Sequence, residues 1–432
     1  MSFRHLLHVN TDRDGVDRRA FLKTVFVGSL AAGGAALGWR DTLALHADDL
    51  RRREMSCILL FMRGGPSQFE TLDPKPGHAN GGPTQAIDTK VRGIRLAEGW
   101  TKLADEMESV ALIRSMRNRE GEHQRAEYQM HTGYIPAGGV RFPTLGSIVS
   151  SEIAPKDFDL PHFVTVGGRG GIGSGFLGQA YAPFVVNDPS QLPSNATLPG
   201  GLNSDRLDRR LSLRNDLERD FAENGGAHQA GDQKQLVANA AAMVRSPRLR
   251  AFDLSSETNA TRDRYGRTAF GQGCLLARRL VEVGVTFVEV ELPGWDTHQN
   301  NFDSCKRLSG QADAGFGSLV KDLRERGRLD RTLILWMGEF GRTPRINGNT
   351  GRDHYPRAFS MALAGGGVKG GQVIGSTNDG GADIANRPVG VADLFCSVFR
   401  AMGINGRKEN MSPQGRPIKL VDGGEAVREL FA

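Results

Sequence analysis

Cysteine is scarce in this chain, and its placement argues against a covalent or thiolate framework. The four cysteines among the 432 residues are Cys57, Cys274, Cys305 and Cys396. None of them forms a C-x-x-C pair, so neither a disulfide scaffold nor a zinc site built from thiolates is expected. Because Cys57 and Cys396 lie inside apolar runs, we interpret the cysteines as core residues.

A strong excess of charge of one sign is also missing. The formal net charge is +6, and residues 1–53 hold nine basic against six acidic residues, which accounts for +3 of it. The rest of the chain is nearly balanced, which argues against a surface that follows nucleic-acid phosphates. With 39% hydrophobic and 7% aromatic residues, the composition is that of an ordinary globular protein of one large domain or two smaller ones.

No apolar run reaches the eighteen residues of a typical membrane span. The N-terminus instead carries "DRRAFLK" (residues 17–23) before the Gly/Ala-rich run "TVFVGSLAAGGAALGW". This pattern is typical of a twin-arginine export signal, with small residues for cleavage after Ala44 or Ala47. A short buried helix is the alternative interpretation. We predict a signal peptide over residues 1–47 and a periplasmic or extracellular protein without a membrane span after cleavage.

Apolar runs that alternate with amphipathic segments predict an α/β fold. The predicted strands are 56–62, 110–115, 162–168, 285–292, 332–337 and 359–366, and the predicted helices are 122–132, 206–223, 233–245, 272–283, 303–326 and 391–402. Continuous apolar strands are typical of a sheet covered on both faces, so we predict a mostly parallel, doubly wound sheet with helices on both faces. Residues 54–432 are predicted as one domain, with a polar helical insertion over about 187–270.

Polar residues follow one of these strands in the segment "WDTHQNNF", where Asp296 and His298 emerge after residues 285–292. Sites in α/β proteins lie at the carboxyl ends of strands. A carboxylate and an imidazole two residues apart on a loop can converge on one metal ion. A helix cap beside a surface histidine is the alternative.

The segment "GEFGRTPRINGNTGRDHYP" (residues 338–356) follows the strand 332–337 and adds further candidates. Asp353 and His354 can face the same crevice as the earlier pair, and Glu339 could ligate an ion or orient a ligand from behind. The predicted metal ligands are therefore Asp296, His298, Asp353 and His354. The alternative is an ion-pair network in which Arg342, Arg345 and Arg352 pair with Glu339 and Asp353.

Two further stretches could contact an anion. His123 opens the predicted helix 122–132, and free N–H groups at a helix start favour an oxyanion, although a plainly capped helix would look the same. The glycine-rich loop "GGRGGIGSGFLG" (residues 167–178) follows a strand, but neither a regular helix nor an acidic ribose partner follows it, which argues against dinucleotide binding. It is either a backbone nest or substrate loop, or a plain connection.

Taken together, several motifs resemble a known family. They are "GGPSQFETLDPKP", "RAEYQMHTGYIP", "WDTH", "GEFGRTP", "GRDHYP", "GGQVIGST" and "VGVADLFCSVFRAMGI", in order over about residues 55–405. This series resembles the uncharacterised domain-of-unknown-function 1501 family of exported bacterial proteins and, more widely, the alkaline phosphatase and sulfatase superfamily. The resemblance implies an alkaline phosphatase-like fold.

The chain departs from the superfamily pattern at positions that carry catalysis. Met62, Arg63 and Gly64 stand where an aspartate metal ligand is usual, His123 stands where a Cys, Ser or Thr nucleophile is usual, and Glu339-Phe340 replaces an Asp-His pair. The resemblance then implies a reduced site with one divalent ion, for which zinc is expected, held by Asp296, His298 and His354 with Asp353 or Glu339 close by.

The resemblance also implies a function and a set of roles. His123, Glu339 and Arg342 are predicted as the catalytic residues, with His123 as general acid, base or covalent nucleophile and Arg342 neutralising the anionic oxygens of the substrate. The expected reaction is hydrolysis of a sulfate or phosphate ester, either a small anionic ester or a sulfated or phosphorylated glycan. The alternative is a catalytically degenerate binding protein that keeps the fold and the crevice.

Overall fold

The computed structural model describes residues 54–431, apart from residues 169–170, 195, 199, 222, 224–226 and 413. The predicted signal peptide lies outside the described residues. Within them, none of the helices has the length and apolar character needed to cross a membrane.

The strands of the described part are short, and most belong to one sheet. They are β1 (Ser56–Phe61), β2 (Ala86–Asp88), β3 (Arg95–Ala97), β4 (Val110–Arg117), β5 (Phe163–Val166), β6 (Phe184–Val186), β7 (Phe287–Glu291), β8 (Thr332–Met337), β9 (Gly341–Arg342), β10 (His354–Tyr355), β11 (Phe359–Ala364), β12 (Gln372–Ile374), β13 (Ser376–Thr377), β14 (Ile384–Asn386), β15 (Val389–Gly390), β16 (Glu409–Met411) and β17 (Pro417–Lys419).

The helices of the described part are α1 (Thr101–Asp105), α2 (His123–Thr132), α3 (Leu145–Ile153), α4 (Ser204–Phe221), α5 (Ala227–Arg245), α6 (Asn259–Tyr265), α7 (Ala269–Glu282), α8 (Asn301–Glu325) and α9 (Val391–Ala401). The polar stretch 187–270 carries α4, α5 and α6, and two 3-10 turns, Pro247–Phe252 and Leu254–Ser256, lie between α5 and α6.

The central sheet is mostly parallel. Its nine strands run in the order β12-β4-β11-β8-β1-β7-β5-β6, and β15 also pairs with β4. β1 pairs in parallel with both β7 and β8, and β11 is antiparallel to its two neighbours β4 and β8. The predicted mixed α/β class with a mostly parallel sheet is therefore confirmed.

Alternation along β1 shows how the sheet is buried on both faces. Ile58 and Leu60 belong to the core under α7 and α8, whereas Cys57, Leu59 and Phe61 belong to the core under α3 and α9. All of β1 is buried, as its continuous apolar sequence predicts. Cys57, Cys274 and Cys305 are buried, Cys396 is partly buried, and all four thiols are free.

Candidate metal site at the strand ends

The sheet brings five loops to one edge. β1, β4, β7 and β8 all end there, and β11 begins there because it runs the opposite way. Asp296 follows β7, Glu339 follows β8, His123 opens the helix after β4, and His354 precedes β11. Residues that are far apart in sequence therefore meet at this edge.

The carboxylate of Asp296 lies at the centre of three histidines. Its Oδ1 is 3.1 Å from Nε2 of His298, 3.3 Å from Nε2 of His123 and 3.4 Å from Nε2 of His354. The Nε2 atoms of His298 and His354 are 3.0 Å apart. The side chains of Asp296 and His298 are 47% and 45% exposed, so the cluster opens to solvent.

The other ring nitrogen of each histidine faces an acceptor. Nδ1 of His123 is 2.7 Å from Oε1 of Glu339, Nδ1 of His298 is 2.9 Å from Oδ1 of Asp353, and Nδ1 of His354 is 2.8 Å from the carbonyl oxygen of Gly121. Carboxylates and carbonyls accept only, so each Nδ1 donates. In the neutral rings, each of the three Nε2 atoms then carries a lone pair close to Asp296, and those of His123 and His354 share one small space with its carboxylate.

This donor set fits a divalent ion. Neutral lone pairs on His298 and His354 at 3.0 Å repel each other unless a proton or a cation lies near both. Ligands about 2.0–2.1 Å from a tetrahedral zinc are separated by about 3.3–3.4 Å, close to the separations seen here. Ligand atoms of His123, Asp296 and His354 all lie within 4.8 Å of one another. Acceptors behind ligating imidazoles are the usual second layer of such sites.

The site residues predicted from the sequence divide into two groups. Asp296, His298 and His354 meet, and His123 joins them through Nε2. Oδ1 of Asp353 accepts a hydrogen bond from Nδ1 of His298, so this oxygen is directed at the back of that ring and not at the Nε2 atoms around Asp296. In this arrangement Asp353 orients a candidate ligand, and His123 takes the place expected for Asp353.

Arg342 is placed differently from its expected role as a contact for the substrate. Its side chain is fully buried, with Nε donating to the Gly65 carbonyl (2.9 Å), Nη1 to the Arg352 carbonyl (3.1 Å) and Nη2 to Asp296 (2.6 Å) and the Gly64 carbonyl. The planar guanidinium is therefore committed to the protein. Arg342 thus holds Asp296 and the loop after β1, and its predicted contact with a substrate stays a prediction.

Glu339 is also fully buried, behind His123. Its Oε1 accepts from His123 and from the backbone N–H of Gly64 at 2.9 Å, while its Oε2 has no hydrogen-bond partner among the described residues. This geometry suits the orienting role that the sequence left open for Glu339. Phe340 packs its ring against His123 and His354, with centroids 4.9 and 4.6 Å away.

The expected alternative, an ion-pair network within residues 338–356, has different partners in the structure. Arg352 is fully buried and pairs with Glu70 at 2.8 Å, and its Nη1 donates to carbonyls of the same loop. Arg342 pairs with Asp296, and Asp353 with His298. Arg345 is exposed. Two of the three arginines are thus buried anchors of the loop.

Electrostatics differ among the candidate ligands. Partial burial would raise the pKa of Asp296, but the hydrogen bond and charge of Arg342, with smaller contributions from His123 and His298, lower it to about 2. The hydrogen bond to Glu339 raises the pKa of His123 against the opposing effect of burial. Burial lowers the pKa of His354 and favours its neutral, ligating form.

Close backbone contacts hold the loops of the site together. A Cβ on Gly351 would lie 1.9 Å from the carbonyl oxygen of His298, so only glycine allows the two loops to touch there. Gly64 has φ of 113°, and a Cβ there would lie 2.5 Å from the backbone nitrogen of Asp296. β9 and β10 pair so that His354 lies opposite Arg342.

A family model described as "Protein of unknown function (DUF1501)" matches residues 54–431. A search of curated proteins finds no match. Similar solved structures include the lipoteichoic acid synthase LtaP from Listeria monocytogenes, with 9% identity, 85% of this chain and 75% of that chain covered, and a TM-score of 0.40.

Two other solved structures have comparable likeness. For the PsFucS1 sulfatase from Pseudoalteromonas sp. the identity is 12%, the coverage 83% of this chain and 71% of that chain, and the TM-score 0.37. For a protein in the alkaline phosphatase superfamily from Vibrio parahaemolyticus the identity is 11%, the coverage 81% of this chain and 66% of that chain, and the TM-score 0.39. At such identities the likeness concerns the fold alone.

Proposed function

The chain belongs to the DUF1501 family, whose description assigns no activity, and from its site we propose a hydrolase of sulfate or phosphate esters with one divalent metal ion. The predicted family is thereby confirmed. The proposal is argued from the site because a fold alone does not determine a function. The observation that carries the proposal is the convergence of three Nε2 lone pairs on Asp296, with every Nδ1 donating to an acceptor behind it.

His123, Asp296 and His354, whose ligand atoms lie within 4.8 Å of one another, would hold the ion, and His298 on the exposed side would have to move closer to become a fourth ligand. A bound zinc ion would supply Lewis acidity to an ester oxygen. The charges suit a dication, because the ion and Arg342 together would balance the carboxylates of Asp296, Glu339 and Asp353. The open side near Asp296 and His298 is where a small anionic ester or the esterified group of a glycan would enter.

The chain's own residues would perform the remaining tasks. Glu339 and Asp353 keep Nδ1 of two histidines protonated, which leaves Nε2 as the ligating atom. Arg342 keeps Asp296 ionised and fixed in orientation. The sequence predicts His123 as general acid, base or covalent nucleophile, and it can take such a role only when its Nε2 is not a metal ligand.

A binding protein without turnover is the second candidate, and one observation favours it. Four protein ligands complete a tetrahedral shell, which is the arrangement of structural zinc sites, whereas catalytic sites keep one position open. If His298 stays bound, an oxyanion would be held near the ion without reaction. Its exposure, at 45% of the side chain, is what would let it leave.

The test is metal content and affinity of protein purified without added metal. We expect one ion per chain, and we expect His354→Ala to weaken Zn²⁺ binding by more than the 10- to 100-fold typical of losing a partner behind a ligand. His78→Asn, at an exposed histidine that caps a 3-10 turn, is the matched control and should bind as the wild type does. A wild-type protein that binds no divalent ion would refute the proposal.

Turnover separates the two candidates. Release of nitrophenol from p-nitrophenyl phosphate or p-nitrophenyl sulfate, lost in His354→Ala and in chelator, supports the hydrolase. Metal binding together with phosphate or sulfate binding, but without release, supports the binding protein. His298→Ala should raise turnover if this histidine closes the fourth position.

The location of the protein is a separate proposal, since it depends on residues outside the described part. We propose export by the twin-arginine route to the periplasm or beyond. Replacing Arg18 and Arg19 with lysine should retain the precursor in the cytoplasm, because the paired arginines are the recognised feature. Unchanged export of this variant would remove the assignment.

A further inference from the structure

We propose that Arg63 is a positioning residue for the metal site, and that together with Glu127 it fixes His123 relative to Asp296. The inference rests on the metal site proposed above. Among the described residues, the Arg63 side chain forms hydrogen bonds with Glu127 and Glu291, neither of which is a candidate ligand, and it joins the segments that carry the ligands.

The main chain of Arg63 is held on both sides by the loops of the site. Its N–H donates to the carbonyl of Leu292 at 3.0 Å, and its carbonyl accepts from the N–H of Trp295 at 3.2 Å. The next residue, Gly64, donates its N–H to Oε1 of Glu339 at 2.9 Å. Arg63 is therefore fixed to the loop that carries Asp296 and stands beside the carboxylate that orients His123.

The side chain of Arg63 reaches across to helix α2. Nη2 donates to both carboxylate oxygens of Glu127, at 3.1 and 3.3 Å, and Nη1 is 3.5 Å from Oε2 of Glu291. Glu127 lies four residues after His123, on the same face of the helix. The Arg63–Glu127 pair thus ties the turn that follows His123 to the end of β1.

A second ion pair holds the far end of the same helical face. Nε2 of His131 is 3.0 Å from Oε1 of Glu289, both side chains are buried, and the ring of His131 lies 4.4 Å from that of Phe61. His131 anchors the helix to the middle of the sheet. Since His123 is the first residue of α2, its position depends on the nearer anchor, which is Arg63.

Charge and position predict opposite effects for one substitution, which makes them separable. Removing Arg63 alone takes away a positive charge near the site, and by Coulomb's law this would strengthen binding of a cation. Removing Arg63 and Glu127 together leaves the net charge unchanged. A loss of metal affinity in the double variant then reports position and not charge.

The experiment compares two double variants. The first combines Arg63→Met and Glu127→Gln, and the control combines Arg125→Met and Glu120→Gln. The control pair is also an Arg–Glu contact of α2, at 2.8 Å, but Arg125 is two residues from His123 and lies on another face of the helix. We expect the Kd for Zn²⁺ to rise about 10-fold in the first variant, the lower end of the range for losing a direct partner of a ligand, and to stay within about 2-fold in the control.

Thermal unfolding of both variants in chelator shows any general loss of stability. The absorption bands of bound Co²⁺ supply a readout that a merely structural role would not move, because they should change if His123 leaves the ion. If the first double variant does not fold, Arg63→Lys takes its place with the same expectation, because lysine keeps the charge but has one nitrogen in place of the two that contact Glu127 and Glu291. If the wild type binds the metal and the double variant binds it with the same affinity and the same Co²⁺ bands, this inference alone is overturned. If the wild type binds no metal, the proposed function is overturned.

Discussion

Arg342→Met should destabilise the protein strongly, because the guanidinium is an internal support. Methionine keeps the length and removes every donor. The carbonyl oxygens of Gly64, Gly65 and Arg352 would then lose the donor that now reaches them in a fully buried place. Asp296 would lose its shortest contact as well, at 2.6 Å.

The magnitude follows from these contacts. A buried acceptor left without its partner costs about 1–3 kcal/mol, and three carbonyls with partial relaxation give about 3–6 kcal/mol. The ion pair with Asp296 adds less than about 1 kcal/mol, because that carboxylate is 47% exposed and screened by water. Typical domains are stable by about 5–15 kcal/mol, so the variant should still fold.

Urea unfolding followed by circular dichroism measures this loss. Arg345→Met, three residues on at an exposed position, is the control and should change the unfolding free energy by less than about 0.5 kcal/mol. Equal stability of Arg342→Met and wild type, together with weaker binding of phosphate or sulfate, would refute the argument and restore Arg342 as a contact for the substrate. Should Arg342→Met fail to fold, Arg342→Lys provides the smaller step.

Two further predictions concern the pH dependence of stability and the contact between loops. Burial alone would lower the pKa of His131, but Glu289 raises it to about 9. Since this is above its ordinary value of 6.5, the ion pair should contribute on the order of 3 kcal/mol below about pH 6.5, and this contribution should be lost as pH rises through about 9. Urea titrations from pH 6 to 10 should show the difference between wild type and His131→Gln shrinking with pH, and a constant difference would contradict the assignment. Gly351→Ala should lower Zn²⁺ affinity by displacing His298, whereas Gly348→Ala, with nothing within 4 Å of the added Cβ, should not; equal affinities would show that the loops can separate without moving the ligand.

The fold was largely predictable because its signals are local. Each of the six predicted strands and each of the six predicted helices has a counterpart, and β1 and β8 carry the continuous apolar sequences of strands buried on both faces. Helix α3 was not predicted, although Thr144 caps its start by accepting from the N–H of Ser147. Three-residue strands such as β6 are too short for a periodic pattern.

The site was predictable in position but not in orientation. Strand ends place Asp296, His298 and His354 at one edge of the sheet, and the sequence shows where those ends are. It does not show which face of a loop a side chain takes. Arg342 lies on β9, which pairs with β10, and its side chain points inward. His123 reaches the cluster because α2 is held to the end of β1 by Arg63 and Glu127. Both contacts depend on the tertiary fold.

The polar residues of 338–356 serve two purposes, and their burial separates them. Glu339, Arg342 and Arg352 are fully buried, whereas Asp353 is exposed and His354 is partly buried at the open edge. A buried ion pair is a poor source of stability, because desolvation offsets the attraction, but it restricts the loop to conformations that satisfy every donor. Arg342 and Arg352 bind backbone carbonyls as well as carboxylates, so they determine the course of the chain itself. The inward charges therefore fix the loop, and the fixed loop presents His354 to Asp296.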